Sequence, residues 1–161
     1  MTLQIKTIAI LTANGVFQDD ISNIQRALIQ RRNFPKIIGA GAKLITSWDG
    51  KTWGHNFAVD VSITEALGVD YDILVVPGGE KAINALQDTA HTKRILGSFV
   101  ASKRPVLFMN EAKSLINFYG LDQNSENFKV IDNVESETLA EVMEWFASAK
   151  TLPDSDELQA A

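Results

Sequence analysis

The chain has 161 residues, a length that fits one domain able to hide roughly 70% of the surface its unfolded form exposes, so an ordinary hydrophobic core can hold it. Its 45% hydrophobic and 22% charged content is that of a soluble globular protein, and a net charge of -5 argues against a broad nucleic-acid or anionic-membrane surface. The absence of cysteine removes disulfides, thiolate metal sites, thiol nucleophiles and cysteine redox sensing together.

The apolar run Ile8 to Leu11 is too short for a secretory segment and stops at Asn14-Gly15, a turn signal. No apolar stretch reaches the roughly 18 residues of a membrane span, so a cytoplasmic location without membrane contact is the default expectation. Lys6 to Leu11 reads as a strand buried on both faces. Ile21, Ile24, Leu28 and Ile29 then recur at helical spacing, with Asp19 and Asp20 in the first turn where the helix dipole favours negative charge. Asn33 to Gly41, with Pro35 and two glycines, reads as an irregular loop. Lys43 to Ser47 is expected to be the second strand and Lys51 to Asp60 a small hairpin excursion.

Asp72 to Val76 is the strongest strand signal, stopped by Pro77-Gly78-Gly79, because proline cannot donate to a ladder and glycine permits a tight turn. Ile83 and Leu86 suggest a short helix, and Ile95, Leu96, Phe99 and Val100 a longer one beginning near Asp88-Thr89. Pro105 to Met109 is the next buried strand, followed by a helix through Leu115, Ile116 and Tyr119 that Gly120 ends. Phe128 to Ile131 is a last strand, and Leu139, Val142, Met143 and Phe146 mark a final helix with Ser136 as its N-cap. Alternating apolar strands and amphipathic helices predict an α/β fold with a mostly parallel central sheet and helices on both faces. One domain is expected over residues 1-150, with residues 151-161 a polar, frayed tail.

Three stretches carry a resemblance: KTIAILTANGVFQDD at 6-20, DYDILVVPGGEKAINAL at 70-86 and RPVLFMNEAKSLINFYGL at 104-121. Together they resemble the ThiJ/PfpI superfamily, which includes the Parkinson-disease-associated deglycase, intracellular PfpI-type proteases and the C-terminal domains of large-subunit catalases. The resemblance implies a flavodoxin-like three-layer sandwich of the class I glutamine amidotransferase-like kind, often assembled as a homodimer. In catalytic members the strand after the Lys/Arg-Pro-Val signature ends in a cysteine followed by His-Gly. Those positions fall on Asn110, Glu111 and Ala112. With the first turn aligned without a gap, the acid that tunes the cysteine falls on Asp20, and the Gly-Gly whose amides help form the oxyanion site matches Gly78 and Gly79. The short passage Leu121 to Asn127, and the lack of a threonine-serine pair in Val130 to Glu137, look more like the catalase-appended domains, which also lack the cysteine.

A cysteine serves at such an elbow because its thiolate is nucleophilic and a helix N-terminus lowers its pKa. The neutral carboxamide of Asn110 excludes covalent acyl transfer and thiol-hemiacetal chemistry at that position, while asparagine also suits a left-handed turn for purely structural reasons. Asp20 and Glu111 are read two ways: as a carboxylate pair at the mouth of the relic site, able to do acid-base work if one pKa is raised, or as dipole partners of their own helices. Ser114 has no neighbouring base, His55 and His91 are too far apart in sequence for a metal-ligand spacing, and Gly39-Ala40-Gly41 lacks the context of a dinucleotide loop. No cofactor or metal is implied. Arg26, Arg31 and Arg32 read as a solvated helix face and end. Trp48, Trp53 and Phe57 form either a partner surface or an edge of the core.

The leading expectation is a pseudoenzyme: a non-catalytic module that binds a partner, or a small molecule at the relic elbow pocket, in a stress-related or chaperone-like role. The alternative is a cysteine-independent hydrolase or lyase acting on a small carbonyl compound through Asp20 and Glu111. The two differ in whether the pocket is an open cleft or is filled by bulky side chains such as Phe17 or Met109.

Overall fold

The computed structural model describes residues 7–41 and 43–148; Lys6 and the expected polar tail lie outside them. Among the described residues, eight strands and five α-helices follow in the order β1 (Ile8–Ala13), α1 (Gln18–Gln30), β2 (Lys36–Ala40), β3 (Leu44–Trp48), β4 (Trp53–Ala58), β5 (Val61–Ser62), β6 (Ile73–Val76), α2 (Glu80–Gln87), α3 (Ala90–Ser102), β7 (Val106–Met109), α4 (Ser114–Phe118), β8 (Phe128–Ile131) and α5 (Ser136–Ser148). Six strands make one parallel sheet in the order β5-β2-β1-β6-β7-β8, and β3 and β4 form a separate antiparallel pair.

Every residue of β1, β6 and β7 is buried, as expected of central parallel strands whose two faces are both covered by helices. Helix α1 packs beside α5, and α2 packs against α3 and α4. Wholly buried Ile10, Leu11, Ile73, Leu74, Leu107 and Phe108 line the middle of the sandwich, each contributing about 1.5–3 kcal/mol on removal from water. Among the described residues no helix is long and apolar enough to cross a membrane.

The segment expected to be irregular supplies the strand beside β1: Ile10, Leu11 and Thr12 pair with Ile37, Ile38 and Gly39. Pro35 sits immediately before that strand, and Gly39 is a packing position, because a Cβ there would lie 2.5 Å from Val59 Cγ2. The run expected as the second strand is instead one arm of the hairpin, with Leu44, Ile45 and Thr46 opposite Ala58, Phe57 and Asn56. Ile29, expected on the core face of α1, is 48% exposed near the helix end. Ser136 is the first residue of α5 rather than its cap; the turn before it is tied by Asn133 Oδ1, which accepts from Glu135 N–H and Thr138 Oγ1.

Arg104 is buried just before β7, with Asp72 as a neighbouring opposite charge. Its Nη1 donates to the carbonyls of Gly68 and Tyr71 and its Nη2 to Ser98 Oγ at 2.7 Å, while its Nε donates to Ser102 Oγ. One side chain thus fastens the loop before β6 to α3 and β7, which fixes the two strands that carry the site.

Candidate functional site

In an open parallel sheet the chain leaves every strand at the same edge, so residues just beyond the C-terminal ends converge. Here the convergence brings together the turn after β1, the Gly-Gly after β6, the corner after β7 and the loop after β8. The corner itself is strained: Asn110 has φ 50 and opens a short 3-10 turn, Asn110–Lys113, that leads into α4. Asparagine is among the few non-glycine residues that tolerate this left-handed geometry, so the elbow expected from the sequence is present.

Asp20, in the first turn of α1, is 1% exposed. Its Oδ2 accepts from Gly78 N–H at 2.9 Å, and both of its oxygens accept from Asn110 Nδ2, each at 2.9 Å. Glu111, one residue beyond the corner, reaches back so that its Oε2 accepts from Gly79 N–H at 3.1 Å. The five residues singled out in the sequence therefore form one connected cluster. The two carboxylates crowd the same glycine: a Cβ on Gly78 would meet Glu111 Oε2 at 2.4 Å and Asp20 Oδ2 at 2.7 Å. Gly79 adopts φ +113 and would bring a Cβ within 2.5 Å of the Gly15 carbonyl and 2.6 Å of Phe17 N, so only glycine lets the β6 turn seat against the turn after β1.

Burial pushes the Asp20 carboxyl above the usual carboxylate range; the hydrogen bonds from Asn110 and Gly78 oppose that shift, and the neighbouring charges of Glu111 and Asp19 add to it. Among the described residues the one ion pair lies at the rim, Lys113 Nζ to Asp132 Oδ1 at 3.4 Å. Asp20 is thus stabilised by neutral donors.

A cleft of about 440 Å³ opens at this corner, lined by Phe17, Asp19, Asp20, Asn110, Glu111, Asp132, Asn133, Val134 and Glu135. Phe17 forms part of its wall, while Met109 is buried beneath it and does not fill it. Five of the nine lining residues are carboxylates, yet among the described residues no three acids or histidines are grouped closely enough to hold a metal ion. Neither histidine lines this cleft: His55 lies on β4 with its backbone N–H on Gln18 Oε1, and His91 Nδ1 accepts from Arg94. Ser114 is exposed on α4, away from the lining. Asp132 to Glu135 were missed in the sequence; the available signal was their place immediately after the last strand of a parallel sheet, at the edge where the other site segments end.

The arrangement holds two carboxylates on two consecutive main-chain amides, and no thiol or hydroxyl side chain lines the cleft. It presents acceptors to the cleft, and the amides that could have received a developing negative charge are already occupied.

A model of the DJ-1/PfpI family matches residues 6–124 of the chain. Among solved structures, Toxoplasma gondii DJ-1 in its oxidized form superposes with a TM-score of 0.73 at 13% identity, covering 87% of this chain and 90% of its own. Drosophila melanogaster DJ-1beta gives a TM-score of 0.72 at 15% identity, with 89% and 91% covered. Schizosaccharomyces pombe DJ-1 gives 0.66 at 13% identity, with 96% and 95% covered. No curated protein matches the sequence.

Proposed function

The chain belongs to the DJ-1/PfpI family, and on that premise we propose that it is a non-catalytic member, a pseudoenzyme whose elbow cleft binds a small molecule rich in hydrogen-bond donors. The observation that carries this reading is the occupancy of the two turn amides: Gly78 N–H is bound by Asp20 and Gly79 N–H by Glu111. Oxyanion stabilisation requires such donors to be free and aimed at the reacting oxygen. A substrate carbonyl would have to displace two negative charges to reach them. With a carboxamide at Asn110 and no cysteine, serine, threonine or histidine lining the cleft, thiol- or hydroxyl-based covalent catalysis has neither its nucleophile nor an imidazole base there. Asp19, Asp132 and Glu135 add further carboxylates to the lining, beside Phe17, Asn133 and Val134, which favours an amine or guanidinium group over an anion.

One observation supports a second reading, acid-base chemistry by Asp20 and Glu111: the cleft is open and burial raises the Asp20 pKa. Two assays separate the readings. Glyoxals and small esters incubated with the purified protein should show no turnover above buffer, and small alkylamines or guanidines should raise its melting temperature while acetate does not. The amine effect should vanish in Glu111→Gln. Turnover that disappears in Glu111→Gln would establish the enzyme reading instead.

A further inference from the structure

Charge is unevenly placed along the chain. From Ile21 to Trp48 there is no aspartate or glutamate, while Arg26, Arg31, Arg32, Lys36 and Lys43 fall there; all 20 acids lie elsewhere. Three of these cations crowd the link from α1 into β2, which reads RRNFPK. Arg31, Arg32 and Lys36 are exposed, and none of them forms an ion pair among the described residues. The carboxylates of Asp60 and Asp72, at the same end of the sheet, accept instead from the amides of Ile37 and Thr7 at 2.8 and 2.9 Å. Phe34, inside the link, is 72% exposed, more than any other large apolar side chain among the described residues, and Ile29 in the last turn of α1 is exposed too.

The end of α1 holds one of these cations in a costly geometry. Asn33 N–H donates to the Leu28 carbonyl and Arg32 N–H to the Ile29 carbonyl, each at 2.9 Å, the two bonds of a helix stop whose left-handed residue is ordinarily glycine. Here that residue is Arg32, at φ 60, where a Cβ is disfavoured. A cation at a helix C-terminus also complements the helix dipole. That accounts for a charge in this place, but not for a solvated phenylalanine among three of them.

We infer that this link docks on an anionic lipid bilayer, with Arg31, Arg32 and Lys36 on the headgroups and Phe34 at the boundary of the acyl chains. Binding to a lipid surface combines burial of apolar side chains in the interface with attraction of basic residues to anionic headgroups, and six residues here supply both. A peptide partner is read through a groove or a free strand edge, whereas β2 is paired on both sides. A single-stranded nucleic acid stacks on successive aromatic rings, and Phe34 is the one ring in the link. The net charge of -5 disfavours a broad surface of this kind, but the patch is local and the polarity of the chain serves it. The link runs into the N-terminal end of β2, whereas Asp19, Asp132 and Glu135 line a cleft beyond the C-terminal ends of the strands. A docked molecule therefore turns its acidic cleft away from the anionic surface. This docking is independent of what the cleft binds.

Co-sedimentation of the full chain with vesicles of phosphatidylcholine, alone or mixed with phosphatidylglycerol, tests it. The wild type should bind the mixed vesicles, ignore the neutral ones, and bind less as salt rises to physiological strength. Arg31→Gln and Arg32→Gly should each weaken binding about fivefold, the second without lowering the melting temperature, because glycine takes the left-handed position freely. Phe34→Ser should weaken binding about tenfold with an unchanged circular dichroism spectrum. Lys93→Gln, which removes an exposed cation of α3, should bind as the wild type does. Equal binding to neutral vesicles, an Arg32→Gly or Phe34→Ser protein that binds like the wild type, or a loss in Lys93→Gln matching that in Arg31→Gln each overturns the proposal. So does a wild type that leaves both kinds of vesicle unbound, whether or not it captures a single-stranded RNA oligonucleotide instead.

Discussion

Replacing Asn110 probes two physical effects at one position. Its Nδ2 lies 2.9 Å from both oxygens of Asp20, and a hydrogen bond to an ionised group contributes about 1.5–3 kcal/mol. Its backbone sits at φ 50, where a side chain with a Cβ is disfavoured by about 1–2 kcal/mol. Asn110→Gly loses the bond and relieves the backbone, giving a net cost of about 1 kcal/mol or slightly more. Asn110→Ala loses the same bond without that relief and should be less stable than Asn110→Gly by about 1 kcal/mol. Equilibrium unfolding in urea at neutral pH, with m-values matched to the wild type, measures both. The cost also depends on pH. The Asn110 bond lowers the Asp20 pKa against the rise caused by burial, so the bond is worth most when Asp20 is ionised, and the penalty should shrink as pH falls through the Asp20 titration. The reasoning fails if Asn110→Gly is as stable as the wild type at neutral pH, or if the alanine and glycine variants cannot be told apart.

Two further outcomes follow from the same geometry. Burial raises the folded Asp20 pKa above its unfolded value, so between those values the native state binds more protons and its stability falls as pH rises, levelling above the raised pKa. Asp20→Asn has no such slope, and melting temperatures taken across the acid range should show the variant gaining on the wild type through that window; the opposite trend refutes the assignment. Arg104→Lys should lose about 1–3 kcal/mol for each carbonyl of Gly68 and Tyr71 left unsatisfied, since an ammonium cannot reproduce the guanidinium fork. A chemical-denaturation midpoint equal to that of the wild type would show that the clamp carries no stability.

The features legible in the sequence were those set by local physics. A run of β-branched and apolar residues cut off by Pro77-Gly78-Gly79 has few readings other than a buried strand and a sharp turn, and β6 ends there. Asp20, Gly78, Gly79, Asn110 and Glu111 were singled out by the family resemblance rather than by local physics, and they come together because parallel strands release the chain at a common edge. What was not legible depended on long-range packing. Pro35, Gly39 and Gly41 look like loop residues, yet Gly39 is required in β2 because Val59 fills the space of its missing side chain. Nothing local marks Leu44–Trp48 as belonging to a hairpin rather than the main sheet, because both arms have ordinary strand composition. The hydrogen bond from Gly79 N–H to Glu111 was likewise invisible, since it spans 32 positions of sequence and needs a side chain to fold back over its own elbow.

The wiring of the corner also acts as an evolutionary ratchet. A cysteine placed at Asn110 would strip Asp20 of the donor on both its oxygens and would face two amides already taken. Replacing Glu111 first would leave Gly79 N–H without its partner in a part-buried turn. Each single step toward a working thiol site thus removes an existing contact before any rate appears, so regained chemistry requires coordinated changes. Substitutions that tighten the hold of the two acids meet no such barrier.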